Sequence, residues 1–436
     1  MRKILFLIAA LGSAAPLAAQ TAGRIHRTEA APYDPRHDAE ARNRKGDGAY
    51  IPFAPKPVSA GGEAVNAAQT IDIPYAWTDG NVFLHLENTG SAYTLTVNGT
   101  AVAEVEDPAT PAEFHLSPYV REGANEFVVT LRPSQTPQLH ETTPRAPRSA
   151  FADSYLYMQN RRSIADFTLS LVPDSTRRFG VLRLDVVARN SFNYDEPVTV
   201  GYDIYSPQGK LLDYSIVERT IAGRSTDTLH FAPYIYHTYD NKWEAGTQNP
   251  PLYEVMLFLR RDGAYKEYMP RKVGFRDIEF RDGRFYSFGK PLALAEARYN
   301  AGADPAATRA QLTSLRKQGK NTVRPDFPQP AWFYEICDEL GLYVIDRANL
   351  NAPSGRSDRT VGGTPSNDPQ LAAEYLERVK AMYYRSRNFT CVIAYELGGE
   401  SGNGYNMYKA YQWLKSVERE RPVLYGDAAG EWNSDL

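Results

Sequence analysis

TCVIAYELGGESGNGYNMY, Thr390 to Tyr408, is the stretch that decides how the chain is read. A continuous apolar run, Cys391 to Tyr395, has the character of a buried strand. It runs into a turn containing Gly398, Gly399, Gly402 and Gly404, and that turn carries one carboxylate, Glu400. Beyond the turn, Met407, Ala410, Tyr411, Leu414 and Val417 recur at helical spacing. The segment therefore reads strand, loop, helix, with an acid just past the strand's carboxyl end. In α/β barrels that end carries the chemistry.

The same alternation extends backwards from this stretch. Asp304-Pro305 reads as a helix start, with Leu312 and Leu315 facing inward and Gly319 as the stop. A strand follows over Asn321 to Arg324. Pro330 opens a second helix, Gly341 closes it, and Leu342 to Ile345 forms the next strand, ending at Asp346. Asp368-Pro369 starts a third helix with Leu371, Tyr375, Val379 and Met382 on one face. Leu292 to Leu294 reads as the first strand and Pro422 to Tyr425 as the last. About five near-continuously apolar strands alternating with helices predict a parallel sheet covered on both faces. The segment 278–436 is shorter than the roughly 250 residues of a closed eightfold barrel.

Upstream the periodicity changes. From Ile71 to Arg132 short segments alternate with period two, as at Val82, Leu84, Leu86 and at Tyr93, Leu95, Val97, and Asn98-Gly99 reads as a tight turn. This predicts a β-sandwich over 71–147. A second all-β segment over 151–277, with turns at Pro207-Gln-Gly209 and Asp262-Gly263, has the length of an immunoglobulin-like sandwich. The Pro-rich stretch Pro133 to Pro147 reads as the linker between them. Residues 21–70 read as an irregular lead-in, and 278–436 as the N-terminal portion of a TIM barrel. The fold class is thus two β-sandwiches followed by an incomplete (β/α)8 barrel.

The first twenty residues, MRKILFLIAALGSAAPLAAQ, have Arg2 and Lys3, an apolar core and small residues before Gln20. This predicts a secretory signal peptide, a periplasmic or secreted protein, and no membrane association after cleavage. Cys337 and Cys391 are the two cysteines, each within an apolar run, and read as buried free thiols. A net charge of −3 and the lack of a basic run interleaved with aromatics argue against nucleic acid as a partner. Hydrophobic content of 42% supports several cores.

Several long motifs, in order, resemble glycoside hydrolase family 2, particularly its exported β-galactosidase-like members. VNGTAVAEVEDPATPAEFHL resembles that family's sugar-binding jelly roll, VGFRDIEFRDGRFYSFGKP its entry into the barrel, and YEICDELGLYVIDRANL with RSRNFTCVIAYELGGES its barrel motifs. The resemblance implies a jelly roll, an immunoglobulin-like domain and a TIM barrel that cleaves β-glycosides, most closely β-galactosides, with retention. Retention needs two carboxyl groups about 5 to 5.5 Å apart. Glu400 matches the acid/base at the end of the fourth strand, and is expected among apolar groups or beside another carboxylate. Arg324, in NTVRPDFP, matches an arginine that braces the site, and Asn349, in DRANL, sits at a matched strand end. Asp326, Trp332 and Tyr395 are further pocket candidates, whereas Glu396 reads as structural.

The resemblance also implies that the nucleophile ends the seventh strand, so the chain is expected to be C-terminally truncated within the barrel, with Glu400 its one catalytic carboxylate. Asn351 and Pro353 replace the Glu and His of the family's metal-binding motif, so no metal or other cofactor is expected. The uncovered sheet edges predict self-association. The expected partner is a carbohydrate, a β-galactoside or related glycan. The alternative expectation is a non-catalytic carbohydrate-binding protein or an inactive fragment.

Overall fold

The punctuation of the barrel segment translates directly into structure. The computed structural model describes residues 23–61, 64–261 and 263–436. The expected leader and Asp262 of the Asp262-Gly263 turn lie outside them. Five parallel strands stand side by side in chain order: β1 (Glu296–Arg298), β2 (Thr322–Arg324), β3 (Tyr343–Arg347), β4 (Val392–Glu396) and β5 (Val423–Leu424). They are joined by helices α1 (Pro305–Lys317), α2 (Ala331–Leu340), α3 (Ala372–Ser386) and α4 (Tyr405–Val417). Asp304 caps α1 by accepting from the Ala307 amide at 2.8 Å, and Gly341 ends α2 at φ 66°, where an L side chain is strained. Both faces of the sheet are buried, with Val323, Val344, Ile393, Phe333, Met382 and Met407 in one core.

The first strand falls later than the apolar run suggests. Leu292 to Leu294 is not a strand, because the Asn321 side chain donates to Ala293 O and accepts from Ala295 N, pinning this stretch as a loop. Leu292 and Leu294 instead pack, half-buried, against the barrel core.

The N-terminal sandwich has a five-stranded antiparallel sheet ordered Lys56–Gly61, Ala64–Ile73, Gly123–Arg132, Ala92–Val97, Thr100–Val105. A four-stranded sheet, Tyr50–Pro52, Tyr155–Gln159, Asn81–Leu86, Ala112–His115, packs on it. Asn98 and Gly99 form the predicted turn, with φ 51° and 76°. The sandwich therefore outgrows 71–147 at both ends, and 21–70 is not wholly irregular. Ala64–Ile73 hid because AVNAAQTIDI has little apolar contrast. Tyr155–Gln159 hid because both of its faces are buried, which erases alternation. The second sandwich packs Arg162–Pro173, Gly180–Asn190 and Ser225–Phe231 against a sheet ordered Leu211–Ile221, Glu196–Tyr205, Tyr253–Arg261, Ala264–Val273.

Pro133 to Pro147 is docked rather than free. Leu139 is buried, its carbonyl accepts from Asn351 N at 2.8 Å, and Thr143 Oγ1 donates to Asn349 Oδ1 at 2.8 Å. Residues 23–49 form a strap across all three units. Ile25 pairs with Glu113, Tyr33 pairs with Tyr268, and the short helix Arg36–Ala41 lays Ala39 over Met256 and Phe258.

Candidate active site

Each of β1 to β4 ends in a charged residue: Arg298, Arg324, Arg347 and Glu396. Strand register sets Arg298 beside Arg324 and Arg347 beside Glu396. Alternation along β4 separates Val392, Ala394 and Glu396 from Ile393 and Tyr395, which take the opposite face. The charged ends close into one chain of ion pairs. Arg324 bridges Glu296 at 2.9 Å and Glu396 at 3.1 Å, Arg347 bridges Glu396 at 2.6 Å and Asp326 at 3.2 Å, and Arg298 meets Asp326 at 2.7 Å. Three carboxylates and three guanidiniums alternate, so the mouth of the sheet presents fixed acceptors and donors with no net charge. That pattern suits a neutral, hydroxyl-rich ligand better than an ion.

Glu400 stands beside this network, on the loop between β4 and α4. Leu350 O accepts from Gly399 N at 2.7 Å, and Glu400 O accepts from Ala352 N at 2.9 Å. Asp427 Oδ2 accepts from the amides of Ser401 and Gly402 at 2.9 and 2.8 Å. Gly399 is required by close approach, because a Cβ there would lie 2.2 Å from Asn351 Oδ1 and 3.4 Å from Arg347 Nη1. Gly402 has φ 65°, open to glycine at no steric cost. The loop is thus fixed while the Glu400 side chain is 69% exposed and pairs with Arg356 Nη1 at 2.8 Å. This corrects the expected apolar or carboxylate surroundings: its neighbour is a cation from the β3–α3 loop.

Of the other predicted residues, Arg324 and Asp326 are in the network with Glu396, which is its centre. Asn349 is fully buried and outside it. Its Nδ2 donates to Asp107 Oδ1 at 2.7 Å, and its carbonyl accepts from Arg378 Nη1 at 2.7 Å. Burial would push the Asp107 carboxyl up, yet Arg378 and Arg24 hold it below the usual aspartate value. Tyr395 does not line the site. It is fully buried against Tyr383, with Arg421 donating to its hydroxyl at 3.1 Å, and burial raises its pKa. Trp332 lies on α2 with its indole donating to Asp153 at 3.1 Å, away from the network.

Arg298, Arg347, Asp107, Arg356 and Arg378 were not singled out from the sequence. A charge at the last position of successive strands was the available signal for the first two. Asp107 had none, since a sandwich residue reaches the barrel only through tertiary folding. The residues present do not fit a divalent cation after β3: Asn351 Nδ2 donates to Thr143 Oγ1 and Asp326 O, and Pro353 offers no side-chain ligand. Among the described residues no three His, Cys, Asp or Glu side chains converge as a metal requires.

Known proteins resemble this chain in sequence and in fold. The family model described as glycosyl hydrolases family 2, sugar binding domain, matches residues 47–148, and that for the family 2 TIM barrel domain matches 297–435. A β-galactosidase of Vibrio cholerae is 32% identical over 373 residues, covering 80% of this chain and 35% of the relative. A β-galactosidase of Priestia megaterium is 28% identical over 390 residues, covering 86% and 37%. The chain spans little more than a third of the length of these relatives. A family 2 glycosyl hydrolase of Bacteroides cellulosilyticus superposes with TM-score 0.70 at 18% identity, covering 84% of this chain and 49% of that one. Bacteroides uniformis β-glucuronidase gives 0.69 at 15%, covering 83% and 46%. These structural likenesses speak to the fold.

Proposed function

Because the chain belongs to glycosyl hydrolases family 2, we propose that it serves in a β-glycosidase of the β-galactosidase type, acting on β-linked sugars with retention, with Glu400 as acid/base and no nucleophile among the described residues. The observation that carries this reading is the position of Glu400, held by a rigid loop past the carboxyl end of β4 and beside the Arg324–Glu396–Arg347 network. Glu400 supplies one of the two carboxyl groups that retention needs. The acids on the adjoining segment are committed elsewhere: Asp427 to the loop amides, and Glu431 to Arg359 at 2.6 Å and to the Tyr408 hydroxyl.

In a protein that also supplies the second carboxyl group, Glu400→Gln is expected to lower kcat on an aryl β-galactoside by about 10²- to 10⁴-fold, the usual worth of a positioned general acid/base. Proton NMR is expected to show the β-anomer released first. Undiminished turnover in the variant, or initial release of the α-anomer, would sink the assignment.

A second reading, carbohydrate binding without turnover, is supported by the match of residues 47–148 to the family 2 sugar binding domain. Calorimetry separates the two. Galactoside binding that persists in Glu400→Gln, with no hydrolysis by either protein, favours the binding module.

Export completes the proposal, supported by the basic, apolar and small-residue succession in residues 1–20. N-terminal sequencing of the protein from the periplasmic fraction is expected to begin near Gln20 or Thr21. Retention of Met1 in cytoplasmic protein would contradict it.

A further inference from the structure

A cavity of about 440 Å³ lies where the strap, the second sandwich and α2 meet. On its wall is Arg271, whose guanidinium donates to two backbone carbonyls, Pro270 O at 2.9 Å and Glu29 O, and rests 5.1 Å from the Phe167 ring. Among the described residues no carboxylate comes within ion-pair distance of it. The other cations of the wall are spoken for: Arg44 pairs with Asp47 at 2.7 Å, Lys272 with Glu339 at 3.0 Å, and Arg385 with Glu29 and Glu87. The Arg42 side chain, at the rim, has among the described residues only a long contact of 3.8 Å to Glu254.

The acids of the wall do not supply the missing charge. Glu29 is engaged by Tyr155 and Arg385, and Glu339 by Lys272 and Arg309. Glu335 is exposed on α2 and, although it also lines the cavity and acts on Arg271 at a distance, makes no ion pair with it. Asp338 is fully enclosed, and burial pushes its carboxyl up to about 7. A guanidinium keeps its charge, and a half-buried one that meets only carbonyl oxygens leaves that charge unmatched. Its planar fork of donors matches a tetrahedral or carboxylate oxyanion.

We propose that this cavity binds a small oxyanion, sulfate or phosphate, held by Arg271 with Arg42 at the rim. Such an ion arrives either free or as the ester group of a sugar, and the cavity leaves room for the ring. The site is separate from Glu400 and does not depend on the glycosidase reading.

The test follows the melting temperature and calorimetric binding of the full chain with sodium sulfate, against sodium chloride at matched ionic strength. Sulfate stabilises many proteins by exclusion from their surface, so the variants decide. Wild type is expected to show a saturable shift and a calorimetric isotherm, with affinity lowered about tenfold or more in Arg271→Met, as for loss of a charge-assisted bidentate partner. Arg42→Gln, on the half-exposed rim, is expected to weaken binding less while folding normally, and decides alone if Arg271→Met does not fold. A non-saturable shift of equal size in all three proteins overturns the proposal. So does an equal response to galactose. Galactose 6-sulfate binding more tightly than sulfate assigns the sugar ester as ligand, while equal affinity assigns the free ion.

Discussion

Arg385→Met is expected to lower the free energy of unfolding by about 3–5 kcal/mol, the cost of stranding buried charge. Arg385 is 4% exposed and holds two carboxylates, Glu87 and Glu29, the latter at 3.2 Å, while its Nε donates to Gln329 O at 3.1 Å. Glu87 comes from the first sandwich, Glu29 from the strap and Arg385 from α3, so one guanidinium ties three parts of the molecule. His85 completes the group, with Nε2 2.7 Å from Glu87 and its ring stacked on Tyr155 at 4.9 Å. Chemical denaturation followed by circular dichroism measures the loss. Adding Glu87→Gln to Arg385→Met should recover part of it, because the stranded charge is removed. A single-variant loss below about 1 kcal/mol, the scale of an exposed pair, would refute the clamp.

The same cluster sets a pH window. Burial would push Glu87 up, but Arg385 and His85 bring it down from 4.5 to about 2. Its folded value is depressed, so its contribution is present above the unfolded value of about 4.5 and is lost as pH falls through about 2. Burial would push His85 down, but Glu87 and Glu29 raise it above 6.5 overall. Its contribution is therefore complete below about 6.5 and is lost as pH rises through the folded value. The cluster should stabilise most between those limits, and Glu87→Gln should flatten the acid limb.

Trp243→Ala is expected to cost about 3–5 kcal/mol, in the range of large aromatic deletions from a packed core. Trp243 is fully buried. Its indole donates to Asp338 O at 2.9 Å, its ring meets Tyr343 edge-on at 5.6 Å, and its amide donates to Phe275 O at 2.7 Å. It lies within the second sandwich's stretch of sequence, between Ser225–Phe231 and Tyr253–Arg261, yet belongs to the barrel's core. A Cβ on Gly274 would fall 2.6 Å from Trp243 Cβ and Cγ, so Gly274→Val should cost about 1–3 kcal/mol by overpacking. In the double variant the valine enters vacated space, so the two losses should fall short of additivity. Strict additivity in denaturation midpoints would show that the ring is not what excludes a side chain at 274.

How much of this was legible depended on how far apart the interacting residues lie in the chain. The barrel helices were readable because their stops and starts are local: Asp304 caps its own helix, and Gly341 adopts the left-handed turn that ends α2. The Glu400 loop was readable from its glycines and its resemblance to a known motif. The network around it was not, since Arg347 meets Glu396 through strand register, which a single strand does not encode. Tyr395 was misplaced for a related reason: a strand buried on both faces is apolar throughout, so alternation does not say which set of side chains faces the site. The strap was missed because the partners of Arg27 and Glu29, namely Glu113 and Arg385, lie far along the chain, so residues 21–70 read as an irregular lead-in.

That strap has a consequence for how the molecule comes to exist. Thr28 accepts from Asn388, 360 residues further along, and Glu29 accepts from Arg385 at a separation of 356. During synthesis the segment therefore waits until β1 to β3 and α3 of the barrel have emerged before it can lie down. Each sandwich can collapse on its own local pairings as it emerges, but the latch across them closes last, against the loop-closure entropy of a very long chain. Assembly should thus proceed through a species with three formed units and a loose N-terminal arm, and the arm is where a protease would find the nascent protein open.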